Sequence, residues 1–211
     1  MKDLTKIVKI LERIKESDSE YLKIVVPSMM SKKLATYMLM REDLLFVKKN
    51  AELLIFTKDQ SERNEHLEES LWYSLISLYG RCFTDSSHSK KPKLEKNDLF
   101  DSSKDSSELK THDKLMEIRH TFIAHRGDND NEIPIVYLKV PKNEVVSEDN
   151  TPFEIVSTRY VTESSDFLKS IVDLSDFILN KLTDKIQKQS DKLYKGLMNL
   201  DSEILQQLTM K

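Results

Sequence analysis

The sequence predicts a mainly α-helical protein, a helical bundle carrying one small β-hairpin insertion. Three observations predict it. Apolar residues recur at steps of three and four in several separate segments. Three glycines and five prolines in 211 residues are few for a turn-rich chain. Only residues 133–161 lack helical period and alternate instead.

The elements follow in order. Leu4, Ile7, Leu11 and Ile14 form one face of a short amphipathic helix, an extension over residues 1–28 that breaks at Glu16 to Ser19 and again at Pro27. From about Ser31, the residues Tyr37, Met40, Leu44, Val47, Ala51 and Leu54 predict a long helix with one buried face. Between Asn64 and Phe83 two adjacent stripes run together: Leu71, Leu75, Leu78 and Cys82 beside Trp72, Ile76, Tyr79 and Phe83. So broad an apolar arc marks the central element of a bundle.

Residues 85–107 are rich in Ser, Lys and Asp, with Leu94, Leu99 and Phe100 as exceptions, and predict a long mobile surface loop. Asp105 and Glu108 have the spacing of an N-cap and its partner. The helix they open is expected to run to Arg126 and close at Gly127, with Leu115, Ile118, Phe122 and His125 on one stripe. Two strands then form a hairpin over 133–161, which should pack on the helices because two strands alone are marginal. Helical period returns with Phe167, Ile171, Leu174, Ile178 and Leu182. It resumes with Leu193, Leu197, Leu200 and Ile204 after a break near Gln189 and Ser190. One domain over residues 1–211 is expected.

Composition narrows the function. A formal net charge of −3 gives no whole-surface basic field, so any nucleic-acid contact is local. A lone Cys82 excludes an internal disulfide framework and fits a reducing compartment. The amphipathic, acid-bearing start is unlike a signal peptide, and no run approaches the roughly 20 apolar residues of a membrane span. The expectation is a cytoplasmic protein with no membrane partner. No phosphate-binding glycine loop is present, which argues against a nucleoside triphosphatase.

Chemistry concentrates in Ile118-Arg119-His120-Thr121-Phe122-Ile123-Ala124-His125-Arg126-Gly127. Arginine keeps its proton near neutral pH while histidine exchanges one readily. A fixed cation beside a proton shuttle suits phosphodiester cleavage, which needs a base, an acid and a cation at the phosphate. On an ideal helix Arg119 and His125 lie roughly 120° apart, so one helix does not make them a tight pair. A symmetric dimer packing this helix against its twin would bring two of each together.

Arginine, a polar residue after it, and histidine six positions beyond resembles the signature of the HEPN superfamily, in particular its abortive-infection and toxin-type members. The pattern of long helices, a loop, the motif helix and a closing helix over about residues 30–185 is similar as well. The resemblance implies an antiparallel HEPN-like bundle, usually a homodimer with motifs paired across the interface. It also implies metal-independent endoribonuclease activity in phage defence or a toxin–antitoxin pair, with RNA as substrate and an antitoxin or defence protein as partner. Arg119 and His125 match the catalytic pair and His120 the polar position. No cofactor and no metal are implied.

Rival readings remain open at this point. A non-catalytic HEPN module would hold a protein or nucleic acid on the same face. A structural adaptor would bury His125 at the end of its apolar stripe, where His125 and Arg126 also complement the helix dipole. Asp128, in the polar turn Asp128 to Glu132, is a candidate to orient the imidazole, and that turn lacks the glycine and terminal glutamate of a calcium loop. His112, Asp113 and His120 have no recognised zinc spacing. Arg81, a lone cation in a broad apolar helix, either pairs with an acid or approaches the same cleft. The basic run Ser89 to Lys93 reads as a solvated cluster.

Overall fold

A computed structural model describes residues 9, 12, 13, 26, 28–84, 92–101, 105–124, 132–140, 153–159 and 163–200, with backbone alone for 122–124, 132–134, 153 and 155–159. The elements are α1 (Met29–Lys58), α2 (Glu65–Phe83), a single turn α3 (Lys96–Leu99), α4 (Ser107–Ile118), a π-helical turn (Arg119–Ala124), β1 (Glu132–Leu138), β2 (Phe153–Arg159) and α5 (Ser165–Met198). The described chain is mainly helical. It divides into two compact units, Met1–Met38 with Thr183–Lys211, and Leu39–Leu182. Of the expected N-terminal helix, Lys9, Glu12 and Arg13 are helical; Leu4, Ile7, Leu11, Ile14 and Pro27 lie outside the described residues.

In the first unit α1 opens on a reciprocal serine cap. The Ser31 N–H donates to Ser28 Oγ at 3.0 Å and the Ser28 N–H to Ser31 Oγ at 3.1 Å, satisfying two donors the helix leaves orphaned. The far end of α5 packs on this start. Gln189 is buried, and its amide donates to the Met30 carbonyl at 3.3 Å. The break expected near Gln189 and Ser190 is therefore absent, and α5 runs unbroken through both. Glutamine is a good helix former, and one serine is not enough to end a helix.

The second unit holds the main core. Met40, Leu44, Val47, Ala51 and Leu54 of α1 are buried, as are Trp72, Leu75, Ile76, Tyr79, Cys82 and Phe83 of α2. Asn64 caps α2 by accepting from the Leu67 N–H at 3.0 Å. Leu168, Ile171, Leu174, Ile178 and Leu182 supply the α5 face. Leu168 takes the place expected for Phe167, which lies half-buried with the Lys114 ammonium 4.0 Å from its ring centre.

Two expectations are corrected here. Residues 92–101, placed in a mobile loop, are pinned: Leu94, Leu99 and Phe100 are buried, and the Leu94 N–H donates to the Cys82 carbonyl at 2.8 Å. Three apolar side chains are enough to hold a polar segment down when each finds a core position. The hairpin strands pair antiparallel with Glu132 opposite Arg159 and Leu138 opposite Phe153. Ile135, Val136, Tyr137, Leu138 and Val140 nevertheless stay exposed, so this stretch of β1 is not packed on the helices.

Candidate active site at the end of helix α4

Helix α4 starts one residue later than the Asp105 cap would place it. Ser106 is the N-cap and accepts from the Leu109 N–H at 3.2 Å. Leu115 and Ile118 are buried as their stripe requires. The α geometry then stops at Ile118, and Arg119–Ala124 form a π-helical turn. The Arg119 N–H reaches both the Leu115 and Met116 carbonyls, and the Thr121 hydroxyl donates back to the Glu117 carbonyl at 2.9 Å. Such back-bonding competes with the helix ladder and loosens it. The expected continuous helix to Arg126 is corrected to this extent. Wide turns of this kind occur disproportionately at functional sites.

The π turn sets Arg119 against α2. A Cβ added to Gly80 would stand 1.9 Å from Arg119 Cδ and 2.2 Å from its Nε, so the side chain lies across bare glycine backbone. Its Nη2 stands 3.5 Å from Thr84 Oγ1, a long contact, and that hydroxyl in turn donates to the Gly80 carbonyl at 2.9 Å. The guanidinium thus rests near the last turn of α2, where unpaired carbonyls favour a cation.

Among the described residues Arg119 has no counterion, unlike the other arginines of this region. Arg63 is forked onto Glu68, whose carboxyl its hydrogen bonds hold below the usual range. Arg81 is forked onto Asp43, with its Nε 2.8 Å from Oδ2. That settles Arg81 with an acid. Among the described residues no carboxylate pairs with Arg119, which is half-buried. His120 beside it is exposed. His125, Arg126, Gly127 and Asp128 lie outside the described residues.

The other histidine of this helix has a structural role. His112 is buried, with its Nδ1 2.7 Å from the Tyr79 hydroxyl and its ring packed against Phe83 and Phe100 at 4.6 and 5.0 Å. Burial lowers its pKa from 6.5 to about 4, so it is neutral at pH 7. The neutral ring and the phenol share one proton across this contact, from the Tyr79 hydroxyl to Nδ1 or from Nδ1 to the hydroxyl oxygen according to the tautomer. Burial likewise pushes the Cys82 thiol up to about 12, which removes it as a nucleophile at neutral pH. Among the described residues no group of three His, Cys, Asp or Glu side chains is placed to hold a metal ion.

Gly80 and Thr84 are the members of this site that the motif does not contain. A signal for Gly80 exists in the sequence. An isolated glycine between Tyr79 and Arg81 costs about 1 kcal/mol in a helix interior and implies a close approach by something else. Compared with known proteins, the chain matches no family model, no curated protein and no solved structure.

Proposed function

We propose that this protein is a metal-independent endoribonuclease of the HEPN type, acting in phage defence or as the toxin of a toxin–antitoxin pair. The observation that carries the reading is Arg119: a half-buried guanidinium seated on Gly80, without a carboxylate partner among the described residues, directly before His120 and six positions before His125. A cation held in place and left unneutralised is suited to receive an anionic group.

In the proposed reaction a base takes the 2′-hydroxyl proton and the 2′-oxygen bonds to phosphorus. The bond to the 5′-oxygen breaks, and an acid protonates that leaving oxygen. The products are a 2′,3′-cyclic phosphate and a free 5′-hydroxyl. His125 acts as base or acid, with a second copy across a homodimer supplying the complementary role. Arg119 holds the equatorial oxygens as charge builds on them. His120 positions the scissile group. Arg126 and Asp128 stand close in sequence to assist RNA binding and imidazole orientation.

The exposed apolar row of β1 favours a second reading, a non-catalytic HEPN module docking a protein. Incubating total RNA with excess EDTA and wild type, Arg119→Ala or His125→Ala separates the two. The nuclease reading expects chelator-resistant cutting that both substitutions abolish with folding intact. No cutting by folded wild type sinks it and leaves the module.

A further inference from the structure

We propose that the C-terminal part of α5 is a docking ridge for RNA, on which Lys185, Lys188, Lys192 and Lys195 hold the phosphates of a single strand. The four lysines step by 3, 4 and 3 along the helix. On an ideal helix they fall within about 80° of its circumference and span about 15 Å of its length. No other residue from Thr183 to Met198 falls inside that arc. Lys188, Lys192 and Lys195 are exposed, and among the described residues none of these three is in an ion pair. Lys185 is half-buried at the head of the row. Asp184 and Asp191 border one edge, where Asp191 accepts from the Gln187 amide at 2.9 Å. The buried Gln189 borders the other.

Such a row does not serve the helix that carries it. Like charges three and four residues apart repel and weaken a helix. The helix dipole favours a cation only in the last turn, which accounts for Lys195 alone. Charge is also divided unevenly along the chain. The first unit holds 13 Lys and Arg against 9 Asp and Glu, whereas the second holds 20 against 27. A chain of net charge −3 thus keeps its surplus of cations in the unit that bears the ridge, where a polyanion is drawn. A line of lysines with no apolar side chain among them suits a strand of phosphates. A helix lying on a membrane needs an apolar face beside its lysines, and the exposed Tyr194 and Met198 stand outside the arc, beyond Asp191. That the strand is RNA rests on the cleavage reading; that a phosphate strand is held rests on the row itself.

The test is fluorescence anisotropy of the full chain with a 2′-O-methylated oligoribonucleotide, which offers phosphates but no 2′-hydroxyl to attack. In EDTA, between about 50 and about 200 mM salt, log affinity of wild type against log salt should fall with a slope near about −3, from four contacts at roughly 0.7 each. Lys188→Gln with Lys192→Gln should weaken binding at low salt by about tenfold or more and flatten the slope to about −1.5. Lys49→Gln with Lys169→Gln makes the same charge change at exposed positions of the second unit and should alter affinity by less than about twofold. Circular dichroism checks that helicity is kept, and the wild-type salt slope needs no substitution at all. A wild type that binds this strand yet leaves its unmethylated twin uncut keeps the ridge and removes the nuclease. No binding by folded wild type overturns the ridge. So does binding that both pairs of substitutions weaken alike, or binding to phosphatidylserine vesicles and not to the strand.

Discussion

Arg119 is held by what its neighbour lacks. Any side chain at position 80 fills the space its stem crosses, so Gly80→Ala should turn the guanidinium away while leaving the α2 backbone helical. Alanine also favours a helix over glycine by about 1 kcal/mol. The expected outcome is stability within about 1 kcal/mol of wild type and RNA cleavage reduced at least about tenfold, measured by urea unfolding and by cleavage rate. A merely structural Arg119 would give the opposite pattern. Arg119→Lys should not restore cleavage, since an ammonium lacks the fork that spans two phosphate oxygens.

His112 allows a test at the same scale. Its folded-state pKa is about 4 against 6.5 in the unfolded chain. Below pH 6.5 the unfolded chain therefore binds the extra proton, and stability falls as pH drops from 6.5 towards 4. The loss attributable to this one group is about 2 kcal/mol at pH 5. Urea unfolding at pH 7 and pH 5 should show it, and Tyr79→Phe with His112→Phe should flatten the slope. Replacing both partners together avoids leaving a buried hydroxyl unpaired.

Among the elements, what was legible is what repeats. Met40, Leu44, Val47, Ala51 and Leu54 are buried on the face their spacing named, and both stripes of α2 face the core or its margin, because burial of one helix face writes itself at 3.6 residues per turn. What does not repeat was harder to read. The π turn at Arg119–Ala124 leaves no mark in an apolar pattern, since Leu115 and Ile118 would be placed alike with or without it. Leu94, Leu99 and Phe100 follow no helical period, and a run of Ser and Lys around them concealed an anchored segment. Ser106 and Asp105 are equally good caps on paper. The choice between them is measurable: Ser106→Ala should cost about 1 kcal/mol in urea unfolding, whereas Asp105→Ala, at an exposed residue whose ion pair among the described residues is with Lys110, should cost less than about half of that.

For the whole molecule, a net charge of −3 sets how RNA would be held. Without a broad basic field, phosphate contacts would be few and placed, and the fork of Arg119, which no carboxylate pairs among the described residues, suits such a contact. The resemblance to an RNA-cleaving family lies in the stretch from Ile118 to Arg126. The seat of Arg119 on Gly80 is an independent physical reason to place chemistry there. No helix of the described chain is long and apolar enough to cross a membrane.

The central claim is transesterification through the 2′-oxygen. It is tested most directly by offering the protein, in EDTA, one oligoribonucleotide with free 2′-hydroxyls and the same sequence 2′-O-methylated, and weighing the products by mass spectrometry. The account predicts cutting of the first alone, with 2′,3′-cyclic phosphate and 5′-hydroxyl ends. A folded wild type that cuts neither, or cuts both alike, would contradict it.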